Sequence, residues 1–499
     1  MPTDYNAQAQ IAYLSWVASQ DAAEERMIRV VRDYAGGKHP TYLSDRQKEF
    51  IGLQAKDANY LFAHNMCQLI IDCLVERLEV TGFAPALKTD VPSDGLDLAA
   101  RAMEWWQANR MDATQDALYE AAARDGVAYI VVDWDSARGA PVWALNYAYD
   151  GTQGIRVYRD PSTDTPLFAA KKWQISDPYN PVNNGRTRLT LYFPDRVEKY
   201  ISGARANAGI GGMTWEQWQD SKGEPWPIPW SDNSGPLGLA VIPFVNPGGS
   251  EIEQILPIQD ALNKSDIDLL ATEDAAGFRI LYAAGVSSAT GTDGKEVPIK
   301  ISPAHLLRIT DPQGRLGAIE PVDPGYLIRA SKYWIEVAAG LSRTPQYLFQ
   351  AMGADQPSGL SLQEQEIGLI HKAERRQRVW GNAWEDVIAL SARLHNLYRP
   401  LDAVVVTPLQ TQWQSASLPV DPVALRLAEG QARKAQIDAG MPFVAALKDE
   451  GRTKEEIAAI LEERGKEAAG QTAQLAQAML NAQRQFDQGQ SAQTEALYG

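Results

Sequence analysis

The chain reads as an α+β protein, mainly α, and three features of the sequence say so. Long stretches repeat their apolar residues at the three- and four-residue spacing of a helix, above all between 361 and 397. A block from 126 to 201 instead carries β-branched and aromatic runs with two-residue alternation. At 499 residues, 45% apolar and 22% charged, the chain has length for about three ordinary domains and enough apolar side chains to bury their cores.

Residues 5 to 35 and 57 to 80 have helical periodicity. In "NYLFAHNMCQLIIDCLVERL" the positions Phe62, Met66, Leu69, Ile70, Cys73 and Leu74 share one face, which predicts a buried stripe. Cys67 and Cys73, the two cysteines, would stand roughly 9 Å apart along that helix. That is too far for a disulfide, and two thiols are too few for a structural zinc site, so both read as packing residues. A further helix is predicted from about Asp112 to Arg124. The period then changes. "GVAYIVVDW" (126 to 134) reads as a strand, and "RTRLTLYF" sets Leu189, Leu191 and Phe193 on one face against Arg188, Thr190 and Tyr192 on the other, so a mostly antiparallel sheet region is expected over 126 to 201. Between 203 and 235 Gly gives way to Trp215, Trp218, Trp226 and Trp230 among prolines. An aromatic platform for a sugar or a base is one reading. The lack of a repeat or a regular face favours the other, an inserted excursion whose indoles pack locally.

Ser250 with Glu253 forms a capping box, which predicts a helix start there, with Pro257 kinking its first turns and the helix running to about Ala276, close to 40 Å if straight. Between 250 and 276 seven acids (Glu251, Glu253, Asp260, Asp266, Asp268, Glu273 and Asp274) stand against one base, Lys264, a net of −6. A compact mixed segment over 278 to 324 is too short for an independent enzyme domain. A second helix is predicted over 326 to 342, followed by the Gly, Pro and Ser stretch "FQAMGADQPSGLSLQ". A second capping box, Ser361 with Glu364, then launches a helix of roughly 35 residues whose packed stripe is Ile370, Ala373, Trp380, Trp384, Val387, Ser391 and Leu394. Residues 403 to 409, "AVVVTPL", read as one more strand. Residues 422 to 486 read as Ala-, Glu- and Gln-rich helix with a third capping box, Thr453 with Glu456, and the last dozen residues as disordered.

Sixty-three acids against 47 bases give a formal charge of −16, which argues against a broad non-specific grip on nucleic acid. Against that background "HKAERRQR" (371 to 378) concentrates Lys372, Arg375, Arg376 and Arg378 around one acid. It reads either as a solvated helical face or as a contact to an acidic neighbour or to DNA phosphates. The opening "MPTDYNAQAQIAYLSW" lacks a basic region followed by an apolar core, and no later run approaches the roughly 20 apolar residues of a membrane span, so the expectation is synthesis in a cytoplasm and no membrane partner.

Catalytic patterns fail one by one. "ATGTDGKE" has Ala289 and Glu296 where a phosphate loop needs Gly and a hydroxyl. "GLSLQ" resembles a nucleophile elbow, but Gln363 replaces its last Gly and the capping box accounts for Ser361. The five histidines form no closely spaced pair. "PDRVEK" has the Pro-Asp and Glu-x-Lys flavour of a nuclease site, yet Glu198 and Lys199 are adjacent and point to opposite faces of a strand. Asp266 and Asp268 lie roughly 200° apart around a helix and do not converge on one ion. No enzyme activity, metal or cofactor is expected.

The order of these parts is helical start, β region, acidic helix, short insert, second helix, Gly/Pro loop, very long helix and helical C-terminus. In it the chain resembles the portal proteins of tailed bacteriophages, in particular the branch found in siphoviruses of Gram-positive hosts. The similar stretches are "VVRDYAGGKHP", "NMCQLIIDCLVERLEVTGF", "DGVAYIVVDWD", "VIPFVNPGGSEIEQILPIQDALNKSDIDLL", "SRTPQYLFQAMGADQPSGLSLQEQEIGLIHKAERRQRVWGNAWEDVIALSARL" and "QIDAGMPFVAALKDEGRTKEEIAAIL". They span most of the chain in the family's order, and the Trp-rich 203 to 235 stretch matches the family pattern least.

The resemblance implies a portal fold with wing, stem, clip and crown regions, forming a dodecameric ring at one capsid vertex through which double-stranded DNA enters and leaves. Residues 1–249 would be the helical and β wing, 250–277 the first stem helix, 278–324 the clip and 325–345 the second stem helix. Residues 346–360 would be the tunnel loop, in which Gln350, Ala351, Met352, Gly353, Ala354, Asp355, Gln356, Pro357, Ser358, Gly359 and Leu360 approach the DNA. Residues 361–421 would be the long wing helix with a return strand, 422–486 the crown and 487–499 a disordered tail. Asp260, Asp266 and Asp268 would line the channel, and Lys372, Arg375, Arg376 and Arg378 would meet a neighbouring subunit or DNA. The implied partners are further copies of the chain, the large terminase subunit, the head-to-tail connector, the major capsid protein and the scaffolding protein. The implied location is the virion, after assembly in the host cytoplasm. The competing reading is a phage-associated hydrolase, a nuclease or a carbohydrate-active enzyme, using the Trp-rich insert.

Overall fold

A computed structural model of the chain describes residues 22–40, 64–86, 93–205, 215–221, 223–277, 281–284, 315–318, 324–349 and 359–417, with positions 434, 442 and 444 beyond them. The chain divides into two units, Met1–Ala416 and Ser417–Gly499, and every element below lies in the first. The predicted helical stretches before residue 22 and over 57 to 63, most of the 278–324 segment, residues 350–358 and the C-terminal helices and tail lie outside the described residues.

Helices α1 (Ala22–Ala35) and α2 (Met66–Val75) open the fold. Asn65 caps α2 by accepting the Gln68 N–H. Cys67 and Cys73 are free and buried, and burial pushes their thiols up to about 12 and about 11, so both are inert. The helix stops short of the predicted residue 80, because Leu78 and Val80 drop into the core and the Val80 N–H donates to Gln115 Oε1 at 3.0 Å. Strand β1 (Val80–Pro85) follows, then α3 (Ser93–Ala108) and α4 (Met111–Asp125). Gly126 ends α4 at φ +85°, and a Cβ there would come within 3.3 Å of the Gly249 and Ser250 backbone, so the position requires glycine on both counts.

The β region forms two sheets. β2 (Val127–Asp135) and β3 (Ala140–Tyr147) belong to the first, while β4 (Gly154–Arg159), β5 (Pro166–Gln174), β6 (Arg186–Tyr192), β7 (Arg196–Arg205), β8 (Trp215–Gln217) and β9 (Ile228–Pro229) build the second. A short hairpin, β10 (Ser231–Asp232) with β11 (Gly235–Pro236), leads to β12 (Val241–Val245), which returns to the first sheet in the order β12-β2-β3. All the ladders are antiparallel. Ile130, in the middle strand, sits opposite both Ile242 and Leu145.

β6 was expected to show one apolar and one polar face, but both are covered: Arg188 is 8% and Thr190 4% exposed. The Arg188 guanidinium lies 5.2 Å from the Trp173 ring and 4.5 Å from the Trp218 ring, and donates to Asp220 at 3.1 Å. The Trp-rich excursion is therefore structural cover. Trp226 donates to the Lys199 carbonyl at 3.0 Å and meets Tyr200 edge-on, while buried Trp230 donates to the Gly238 carbonyl at 2.8 Å. β8 and β9 lie end to end along the edge of β7 that β6 leaves open, which closes an edge that would otherwise pair with other chains.

A 3-10 turn, Glu253–Ile255, precedes α5 (Leu256–Gly277). The helix thus begins six residues after Ser250, whose hydroxyl accepts the Ile252 N–H at 3.3 Å. Pro257 falls in the first helical turn, where its missing N–H breaks no bond and no kink is needed. β13 (Leu281–Ala284) pairs with β14 (Arg315–Ala318), and α6 (Gly325–Ser342) packs beside α5. α7 (Gly359–Tyr398) begins two residues before Ser361, which lies inside the first turn rather than ahead of it. The predicted strand over 403–409 is displaced. The Asn396 side chain takes both the Val404 N–H and its carbonyl at 2.8 Å, and the strand β15 forms later, at Leu409–Trp413, paired with β1.

The core gathers on α7. Ala373, Trp380, Trp384, Val387, Ser391 and Leu394 are buried, and Ile370 is partly so, as the periodicity predicts. The fully buried Trp384 indole donates to Tyr119 Oη at 2.8 Å and lies 4.8 Å from Trp106 and 4.9 Å from Phe244 in edge-on contacts. Trp380 stacks on Tyr119 at 5.2 Å, and Trp143 donates to Ser391 Oγ at 2.8 Å. Trp384→Ala is expected to destabilise the chain by about 3–5 kcal/mol, by the cavity it leaves. The loss is read from the shift in denaturant midpoint, and an unshifted midpoint would place the core elsewhere.

Candidate functional site

The sequence singles out an acid-rich helix and a basic cluster far apart in the chain, and the fold joins them at one junction. β12 is followed by "NPGGSE", where Gly248 and Gly249 adopt φ of +103° and +83° and reverse the chain. The Asn246 N–H donates to the Gly126 carbonyl at 2.8 Å and the Glu251 N–H to the Ala123 carbonyl at 2.9 Å, so the turn is stitched to the end of α4. The Asn246 side-chain amide donates to the Gly249 carbonyl at 2.6 Å and to Glu251 Oε1 at 2.8 Å.

The Glu251 carboxylate then meets α7. Lys372 Nζ lies 2.7 Å from Glu251 Oε2 and donates at 3.0 Å to the carbonyl of Ser342, the last residue of α6. The Arg376 guanidinium bonds Glu251 Oε1 and donates through Nε to Asn246 Oδ1 at 3.0 Å. These three charged side chains are 7%, 5% and 8% exposed, and one turn further on Trp380 donates to the Val245 carbonyl at 2.9 Å. Burial alone would raise the Glu251 carboxyl, but the Lys372 and Arg376 charges outweigh it and hold the group below its ordinary value of 4.5.

The basic cluster therefore splits. Lys372 and Arg376, expected at a subunit contact or facing DNA, are buried inside the subunit on Glu251. Arg375 and Arg378 point outward, exposed, with no side-chain partner among the described residues. A signal for this was present, since Arg376 falls one turn before Trp380 on the packed stripe of α7.

Three acids of α5, Asp260, Asp266 and Asp268, have partners within the chain. Asp260 Oδ1 accepts the Tyr34 hydroxyl at 2.7 Å. Asp266 accepts the Ser331 hydroxyl from α6 at 2.7 Å and faces His64 Nδ1 at 3.2 Å, while Asp268 pairs with Lys264 one turn back. On the buried face Gln259 accepts the Met66 N–H at 2.9 Å and donates to the His64 carbonyl at 2.7 Å and to Asn263 Oδ1 at 3.0 Å. No three potential metal ligands gather among the described residues. The nuclease-like residues diverge: buried Glu198 takes Arg196 at 2.7 Å and Tyr200 at 2.9 Å, whereas Lys199 binds Asp220 and Glu224 at 2.6 and 2.8 Å. Gln350 to Ser358 lie outside the described residues, and Gly359 and Leu360 form the first turn of α7.

Glu251→Ala leaves two buried cations without their anion and is expected to destabilise the chain by about 3–5 kcal/mol. Because the folded carboxyl sits below its unfolded value, its contribution is full above about pH 4.5 and is lost as the pH falls through the folded value. The stability gap between wild type and Glu251→Gln should shrink over that acidic window, and a gap independent of pH would show that the charge does not hold the junction.

Comparison with known proteins bears on these features together. A family model described as phage portal protein, SPP1 Gp6-like, matches residues 54–467, which include the junction, both helices of the α5/α6 pair and all of α7. The portal protein of Mycobacterium phage D29 is 26% identical over 404 residues, covering 76% of this chain and 74% of that one. The portal protein of Mycobacterium phage L5 is 25% identical over 410 residues, with coverage of 76% and 74%. No described helix is long and apolar enough to cross a membrane. The chain belongs to the phage portal protein family, SPP1 Gp6-like branch.

Proposed function

We propose that this portal protein assembles into a dodecameric ring at one vertex of the capsid and forms the channel through which double-stranded DNA is packaged and ejected. The observation that carries this reading is the pairing of α5 with α6 on the buried Glu251 junction, with five acids against Lys264 alone on α5 itself, a net of −4. Repeated around a ring, such a helix makes an acidic wall. A like-charged wall repels phosphates and leaves no deep wells in which the polymer would stick. Asp260, Asp266 and Asp268 would contribute to that wall, their intrachain partners fixing their positions.

On this reading residues 250–277 and 325–345 are the stem, 278–324 the clip that meets the large terminase subunit and later the head-to-tail connector, and 346–360 the tunnel loop. Residues 1–249 and 361–421 form the wing, facing capsid and scaffolding proteins, and 422–486 form the crown. The protein needs no chemistry or cofactor of its own, since ATP hydrolysis belongs to the terminase. The Trp-rich excursion belongs to the wing, because its indoles are engaged within the sheet that it covers.

Two measurements check this. Negative-stain images and native mass of the purified protein should give closed rings with a central hole, and a stable monomer would sink the reading. Deleting Ala354 to Gly359 should lower DNA packaging in an assembly assay while leaving ring formation intact, and unaltered packaging would remove the loop from contact with DNA.

A further inference from the structure

A cleft of about 190 Å³ opens beside the Glu251 junction, between the "NPGGSE" turn, the end of α6 and α7. Its charged lining is Arg343, Lys372, Arg375 and Arg376 against the single carboxylate of Glu251, a net of +3 in a chain of net −16. Glu251 already holds Lys372 and Arg376 in place. Arg343 and Arg375 are exposed and have no side-chain partner among the described residues. Arg343, at φ +55°, ends α6 with its Cβ beside Gly368, one turn before Lys372 on α7, so the two outer arginines flank the two inner cations. On the far wall a Cβ added at Gly248 or Gly249 would meet nothing within 4 Å, which leaves the turn open to the cleft.

We propose that this cleft binds a phosphate group. Two exposed guanidinium groups, backed by two buried cations, line a volume below the roughly 300–1,000 Å³ of pockets for drug-sized molecules, which suits one compact oxyanion and not a nucleoside or a sugar. The planar guanidinium forks of Arg343 and Arg375 match phosphate oxygens in pairs, while Lys372 and Arg376 supply fixed positive potential behind them. Glu251 balances one of the inner charges, so the cleft keeps its cations packed when empty. The phosphate comes either from the DNA backbone or from free inorganic phosphate or polyphosphate. Only the DNA source rests on the channel reading above.

The test is calorimetric titration of the full-length protein at about 50 mM salt, where phosphate contacts are weakly screened. The probes are inorganic phosphate, tripolyphosphate and a short DNA duplex. Arg343→Gln and Arg375→Gln should each weaken phosphate and tripolyphosphate binding about tenfold, the loss of one charge-assisted contact, and Arg375→Lys should recover part of it. Arg138→Gln, at an exposed arginine in the turn between β2 and β3, should bind as wild type. If the duplex shows the same dependence on Arg343 and Arg375, the DNA backbone is the source; if only the small anions do, free phosphate is. Both results support the cleft. Equal affinities in wild type and both Gln variants, or displacement of phosphate by chloride at matched ionic strength, would overturn it. So would dissociation of the assembled protein in those variants with phosphate affinity unchanged, since that would assign the arginines to a carboxylate of a second copy. A monomer that binds phosphate with this dependence would reject the ring and keep the cleft.

Discussion

Burying a carboxylate is unfavourable by several kcal/mol unless its charge is met and its oxygens are bonded, and Glu251 satisfies that condition with donors drawn from separate parts of the fold. Lys372 and Arg376 come from α7, Asn246 from the turn after β12, and Lys372 in turn holds the last carbonyl of α6. Moving any one of these segments exposes the cost of the whole cluster. The apolar core around Trp384 supplies most of the driving force, but it is non-directional. The ion cluster is directional, and it fixes the turn before α5 and the last residue of α6 against α7.

A second polar seam holds α5 from its other side. His39 donates through Nε2 to the Tyr34 carbonyl, so its Nδ1 accepts from Asn263, and Asn263 continues to Gln259 and α2. Burial holds the His39 imidazole below its ordinary value, which keeps it neutral and keeps that one tautomer in place. Its ring stacks on Tyr34 at 4.8 Å, and the Tyr34 hydroxyl reaches Asp260. Buried polar chains of this kind are satisfied in one register only, so they select an arrangement that Leu262 and Ile267 alone would leave loose.

Much of the fold was legible because it rests on period. The Trp380, Trp384 and Val387 stripe predicts α7 and "GVAYIVVDW" predicts β2, each close to its observed place, while the Ser250 capping box places the start of α5 six residues early. Elements whose existence depends on distant partners were not legible in the same way. β1 exists because β15 pairs with it, and β15 begins at Leu409 because the Asn396 amide occupies Val404. Arg188 reads as a solvent-facing residue by alternation, yet Trp218, 30 residues on, covers it. Sequence spacing carries no record of such returns.

The sequence by itself determined the class of the protein, the order of its parts, the acidic character of the α5 segment and the failure of its near-miss catalytic patterns. These follow from composition, local period and collinear likeness, which are properties of neighbouring residues. Only the tertiary structure decided that "HKAERRQR" divides into two buried cations and two free ones, and that the buried pair serves a glutamate more than 100 residues earlier. The physical reason is that a charge takes its meaning from what surrounds it. The same arginine is a solvated surface group, a buried ion-pair partner or one wall of an anion cleft according to which elements fold against it, and that is settled by long-range packing.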